Sequence, residues 1–228
     1  MDLTGIGLYT FQEASKLTGI PARDLRRWLD GYAYRRKADR STVPVSPLWE
    51  PELLPAEIDG MSFHDLLEVR FVRAFRQHGV SLQTIRVASE KARQLFDLTY
   101  PFTSRRFQTD GRTIFASAIR ETGEVDLLDL LKGQYAFQKI IEPSLYQGIE
   151  FGSDDTALRW YPSPCSKAVV IDPQIAFGKP IVAEGQVRTS ILYASFLAEN
   201  DRQFVARLHE VPLAAVDAAI AFEERLAA

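Results

Sequence analysis

Eight basic side chains crowd into residues 16–40: Lys16, Arg23, Arg26, Arg27, Arg35, Arg36, Lys37 and Arg40. Against Asp24, Asp30 and Asp39 they leave this stretch of 25 residues at +5. An arginine fork suits paired acceptors, whether phosphate oxygens or the edge of a guanine, so the cluster points to nucleic-acid recognition. Charge alone fits a solvated helix face equally well. Other chemistry is poorly represented. Asp154-Asp155 and Glu223-Glu224 are adjacent pairs, and neighbours in a helix or strand do not face one another. His64 and His78 lie 14 residues apart and His209 is distant, so no histidine pair has the four-residue spacing of a helical metal site. One cysteine, Cys165, excludes an intrachain disulfide framework. Phe177-Gly178-Lys179-Pro180 lacks the GxxxxGK[ST] frame of a phosphate-binding loop and reads as a tight turn. The expectation is a binding protein with no catalytic residues, metal or cofactor.

The basic residues need a frame to hold them. Thr10 with Glu13 forms a capping box, predicting a first helix from about Phe11 to Leu17. Thr18-Gly19 stops it, and Pro21 sits at the start of a second helix in which Leu25 and Leu29 face inward with Ile20. Arg23, Arg26 and Arg27 are thereby pushed outward, in a helix-turn-helix pattern. YAYRRKADRSTVPVSPLW then reads as a basic wing, with short strands around a tip carrying Arg35, Arg36, Lys37 and Arg40. Trp28 and Trp49 are expected to pack rather than to stack on bases. Ser62 with Asp65 makes a second capping box, and Ser81 caps a fourth helix ending near Phe96.

With 228 residues, 46% of them hydrophobic, the chain is long enough for two modest cores and is not disordered. No apolar run reaches membrane-spanning length and no signal-peptide pattern opens the sequence, so a cytoplasmic protein is expected. Charge divides the chain: residues 1–120 carry 18 Lys+Arg and 14 Asp+Glu, +4, whereas 121–228 carry 9 and 16, −7. The expected fold class is α+β, mainly α. Its expected domains are a winged helix-turn-helix domain at 1–97, a small β-containing connector at 98–164 and a three-helix domain at 165–228. Within the connector, RRFQTDGRTIF is predicted as a hairpin around Asp110-Gly111, VDLLDLLKGQYAFQKII as an amphipathic helix, and IEFGSDDTALRWYP as one or two strands. A strand at Ala168–Ile171 precedes helices at about 189–199, 201–208 and 212–226, with Leu192, Phe196, Val205, Leu208, Val216, Ile220 and Phe222 as their apolar set.

YTFQEASKLTGIPARDLRRW, a wing and then SFHDLLEVRFVRAFRQHGVSLQTIR together resemble the winged helix-turn-helix domain of MerR-like regulators, over residues 8–95. The resemblance implies a second helix in the major groove and phosphate contacts from Arg23, Arg26, Arg35 and Arg36. The family's usual aromatic pair is here Arg27-Trp28, and this wing has extra residues. Residues 169–224 carry Ile171-Asp172-Pro173, Phe177-Gly178-Lys179-Pro180-Ile181 and Arg188, and are similar to the "domain of unknown function 433" family. That family is seen as the antitoxin partner of PIN-like ribonuclease toxins, which makes Phe177, Lys179 and Arg188 candidate partner contacts. Where the family usually reads Gly-Thr-Arg-Ile, this chain has Ala183-Glu184-Gly185-Gln186-Val187.

The combination looks like the larger VapB-type antitoxins of VapBC-type modules. It implies a protein that binds operator DNA to autorepress and inhibits a PIN-like toxin. A homodimer is expected, because palindromic half-sites need a two-fold protein. The acidic second half, densest at Glu121, Glu124, Asp126 and Asp129, suits a basic ribonuclease surface or is simply a solvated helix face. The alternative is a ligand-responsive MerR-like regulator without a toxin partner.

Overall fold

Thr10 starts the first helix as its sequence dictates: its hydroxyl accepts the Glu13 N–H at 3.2 Å while the Glu13 carboxylate accepts the Thr10 N–H at 2.8 Å. In this computed structural model, which describes residues 3–36, 40–123, 143–163 and 165–227, α1 spans Phe11–Thr18. Gly19 ends it at φ 67° and ψ 20°, where a Cβ would stand 2.7 Å from the Arg73 guanidinium. Helix α2, Ala22–Leu29, buries Leu25, Trp28 and Leu29 and leaves its arginines outside. The wing is an antiparallel pair, β1 at Tyr32–Arg35 and β2 at Thr42–Val45, in register from Tyr32 opposite Val45 to Arg35 opposite Thr42.

The described chain divides into two compact units, Thr10–Tyr146 and a second made of Met1–Tyr9 with Gln147–Ala228. Of the described residues in the expected connector, 98–123 and 143–146 fall in the first unit and 147–163 in the second. In the first unit, α3 (Phe63–Gln77) and α4 (Leu82–Phe96) follow the wing, and Asp65 completes the α3 capping box with both partners buried. The expected hairpin at Asp110-Gly111 is corrected: these residues lie inside α5, an unbroken helix over Arg105–Thr122 capped by the Ser104 hydroxyl. Its stripe of Phe107, Gly111, Ile114, Phe115, Ala118 and Ile119 is buried, and helical burial outweighs the turn preference of an Asp-Gly pair. Gly111 is needed for room, since a Cβ there would come within 2.8 Å of the Phe107 ring.

The α5 stripe meets α3 in an aromatic cluster. Phe75 and Phe115 have ring centroids 4.4 Å apart, and Phe102 and Phe107 4.8 Å apart. Glu68, fully buried, accepts the backbone N–H groups of Phe102 and Thr103 at 3.0 and 3.1 Å, which ties α3 to the chain entering α5. Tyr146, in the one-turn helix α6 (Pro143–Tyr146), donates its hydroxyl hydrogen to the Phe102 carbonyl at 2.8 Å. The predicted amphipathic helix over VDLLDLLKGQYAFQKII, with Glu124, Asp126 and Asp129, lies outside the described residues.

The second unit holds the expected strands. β3 (Ile149–Phe151) pairs with β4 (Ala157–Trp160), and β5 (Val169–Val170) pairs with β6 (Ile181–Val182), both antiparallel. Helices α7 (Thr189–Glu199), α8 (Arg202–Leu208) and α9 (Leu213–Ala227) close on a core of Val182, Leu192, Val205, Val216 and Ile220. Leu208, expected in that core, is instead 56% exposed, because it ends α8 one residue before the turn at His209. The fold is α+β and mainly α. Among the described residues no helix is long and apolar enough to cross a membrane.

Glu68 makes stability depend on pH. Burial pushes its carboxyl from 4.5 up to about 8, with the Phe102 and Thr103 N–H groups and Arg93 pulling the other way. The folded state therefore holds the proton more tightly than the unfolded chain. The stabilisation is complete below about pH 4.5 and lost as pH rises through about 8. Urea denaturation across this range is expected to show a decline on the order of a few kcal/mol from this group, and Glu68→Gln is expected to flatten it.

Candidate nucleic-acid interface

In the first unit, Arg23, Arg26 and Arg27 of α2 and Arg35, Arg36 and Arg40 of the wing are all exposed. Lys37, at the expected wing tip, lies outside the described residues. Amphipathicity places the α2 arginines, since Leu25, Trp28 and Leu29 take the inner face. The wing starts from a glycine: Gly31 has φ 75°, and a Cβ there would stand 2.5 Å from the Val45 carbonyl oxygen. At the far end the Arg36 N–H donates to the Ser41 carbonyl at 2.8 Å, and Arg40 takes a left-handed φ of 59°.

The wing is fastened at its base. The Leu48 N–H donates to the Trp28 carbonyl at 2.8 Å, linking the chain after β2 to the end of α2. From α4, Arg86 donates to the Ser46 carbonyl at 2.7 Å and Arg93 to the Leu48 carbonyl at 3.1 Å. The Trp49 indole N–H donates to the Asp65 carboxylate at 2.7 Å inside the core. Both Trp28 and Trp49 are buried, matching their expected packing role.

The three α2 arginines differ in how firmly they are held. Arg23 is 83% exposed beside Asp24 at 3.9 Å. Arg27 lies over the Tyr32 ring with its guanidinium carbon 4.0 Å from the centroid, a cation–π contact joining α2 to β1. Arg26 is the most constrained: Nη1 and Nη2 donate to the two Asp59 oxygens at 2.8 Å each, and its guanidinium carbon sits 4.3 Å over the Phe11 ring. The hydrogen bonds to Asp59 raise the Arg26 pKa and hold the Asp59 carboxyl below the usual carboxylate range. Burial pushes the Asp30 carboxyl up, against the pull of Arg26. Asp59 and Tyr32 were not singled out in the sequence. Asp59 lies 33 residues from Arg26 with no local pattern to join them, whereas Tyr32, an aromatic five residues after Arg27, was a visible signal.

The second unit carries the other candidate contacts. Ala176, Phe177 and Gly178 have successive φ values of 49°, 54° and 75°. Holding two non-glycine residues in the left-handed region costs free energy that the surroundings must offset. The Leu8 N–H donates to the Phe177 carbonyl at 2.9 Å and the Tyr9 hydroxyl to the Gly178 carbonyl at 2.6 Å. The turn leaves Phe177 60% exposed. Lys179 is half-buried with its ammonium 5.5 Å from the Tyr9 ring, and Arg188 is exposed opposite Ile181.

Residues 7–89 match a family described as "Putative DNA-binding HTH domain", so the chain carries a DNA-binding domain of the helix-turn-helix type. Two Mycobacterium tuberculosis (strain ATCC 25618 / H37Rv) proteins are similar in sequence. "Putative antitoxin VapB45" is 29% identical over 211 residues, 88% of this chain and 87% of that protein. "Uncharacterized protein Rv2308" is 28% identical over 100 residues, 43% of this chain and 39% of that protein. The X-ray structure of Rv2018 from Mycobacterium tuberculosis superposes with a TM-score of 0.67 at 24% identity, covering 96% of this chain and all of that one, a likeness of fold.

Arg23→Ala and Arg35→Ala are each expected to weaken binding to duplex DNA of any sequence and to lower the slope of log K against log salt by about one. Fluorescence-anisotropy titrations at several salt concentrations measure this. An unchanged slope would remove that residue from the interface.

Proposed function

We propose that this chain is a DNA-binding antitoxin, non-enzymatic and cytoplasmic, that represses its own operator as a homodimer and inhibits a PIN-like ribonuclease toxin through residues 121–228. The observation that carries the reading is the similarity to a protein named as an antitoxin along 88% of the chain, together with a helix-turn-helix domain whose outer face is basic. The MerR-like arrangement of α2 and wing supports major-groove entry with Arg23, Arg26 and Arg27, while Arg35, Arg36, Lys37 and Arg40 grip phosphates. Two-fold pairing lets α2 of each copy reach one half-site of a palindrome.

Inhibition is assigned to the acidic part of the chain, which carries −7 over residues 121–228 and suits the positive surround of a ribonuclease site. Phe177 is the anchor in this reading. An exposed aromatic on a pinned, strained turn has lost little freedom to lose again on binding, and aromatic residues dominate interface energetics. Lys179, two residues on, and the exposed Arg188 add donors in this reading.

Co-expression with the product of the adjacent small open reading frame tests this reading. The full chain is expected to restore growth and to co-purify with that product. Phe177→Ala is expected to lose rescue while its DNA binding stays at the wild-type level. Absence of toxicity, rescue and complex would overturn the antitoxin role.

A further inference from the structure

Arg26 is held in a geometry that leaves one edge of its guanidinium for a single kind of acceptor. Asp59 takes the two terminal nitrogens end-on, Nη1 to Oδ1 and Nη2 to Oδ2, both at 2.8 Å. Asp30, one helical turn on, flanks Nη1 at 3.6 Å, and the Phe11 ring covers one face at 4.3 Å. A guanidinium has five N–H bonds in a planar fork, so the edge formed by Nε and the second Nη2 hydrogen remains available. Among the described residues no acceptor occupies that edge, and half of the Arg26 side chain is exposed.

Two consequences follow. A long side chain ordinarily loses rotamer freedom when it binds, and here the carboxylate and the ring have already removed that freedom. The charge beside the fork also selects the ligand. A phosphate on the Nε–Nη2 edge would share Nη2 with the Asp59 carboxylate and be repelled by it, whereas O6 and N7 of guanine are neutral acceptors matched to a bidentate fork. Arg23, 83% exposed, has Asp24 only at 3.9 Å and suits the backbone.

We infer that Arg26 reads a guanine in the major groove and that Asp59, outside both helices of the helix-turn-helix, is the specificity-determining residue that orients it. The inference rests on the DNA-binding reading above and goes further, by dividing the arginines into one base reader and several backbone contacts. Asp59 touches no DNA in this scheme. It positions Arg26 and discourages its use on phosphate.

The test uses the full chain. Wild-type protein is first selected against randomised duplex DNA, and its consensus is then rebuilt with 7-deazaguanine, which lacks N7, replacing one guanine at a time. Wild-type binding is expected to fall about tenfold at one guanine per half-site. Arg26→Ala is expected to abolish the preference at that same guanine. Asp59→Asn is expected to flatten it too while binding non-consensus DNA more tightly than wild type, a gain that a merely structural role for Asp59 would not give. Thermal melting of Asp59→Asn should match wild type, because the side chain is 70% exposed. A consensus with the same guanine preference in Asp59→Asn, or an equal loss of affinity on all sequences, would overturn the inference. Failure of wild type to bind any duplex would instead overturn the DNA-binding reading beneath it.

Discussion

The buried carboxylate of Asp65 fixes the start of α3 and the base of the wing at once. Oδ2 accepts the Ser62 N–H at 3.1 Å, the Asp65 N–H donates to the Ser62 hydroxyl at 3.0 Å, and Oδ1 accepts the Trp49 indole N–H at 2.7 Å. Burial pushes its carboxyl up, with Trp49 and Ser62 pulling it back. A buried carboxylate is tolerated when its lone pairs are satisfied, and losing a partner there costs more than losing an exposed hydrogen bond. The chain leaving β2 is therefore bound to the same group that starts α3. The hydrogen bonds from Arg86, Arg93 and Leu48 extend that fastening to α4 and α2.

Rigid support gives the arginines their different characters. Arg27 is stacked on a wing tyrosine, Arg26 is clamped by a carboxylate and a phenyl ring, and Arg23 extends into solvent. In the proposed DNA-binding reading, a fixed fork beside exposed cations separates base reading from backbone attraction, which supplies affinity and salt dependence without sequence information. In the second unit the Leu8 N–H donates to the Phe177 carbonyl and the Tyr9 hydroxyl to the Gly178 carbonyl, and the Phe177 ring is left exposed.

Local rules carried the sequence reading wherever the structure is local. The Thr10–Glu13 and Ser62–Asp65 boxes, the left-handed Gly19 and the outward arginines of α2 follow from residues three to nine apart. The three terminal helices likewise appear within a residue or so of their expected bounds. The reading failed at Asp110-Gly111, where a turn-forming pair lies inside a helix because Phe107, Ile114, Phe115 and Ala118 bury a continuous stripe against α3 and α4. It missed Asp59 because a tertiary ion pair 33 residues long leaves no periodic trace. The wing arginines were visible as charge, but what fastens the wing, Asp65 to Trp49 and Arg86 to Ser46, joins residues 16 and 40 apart.

The bond between Trp49 and Asp65 is what holds the base of the wing in place. Amide hydrogen exchange on Trp49→Phe, which keeps the ring packing and removes the indole donor, tests it most directly. The expected result is exchange faster by about tenfold at Tyr34, Arg36 and Val43 on the wing, with the amides of α1 and mid-α3 unchanged. Wing amides exchanging at the wild-type rate would contradict it, because the wing would then owe its order to its own two strands and not to the buried carboxylate.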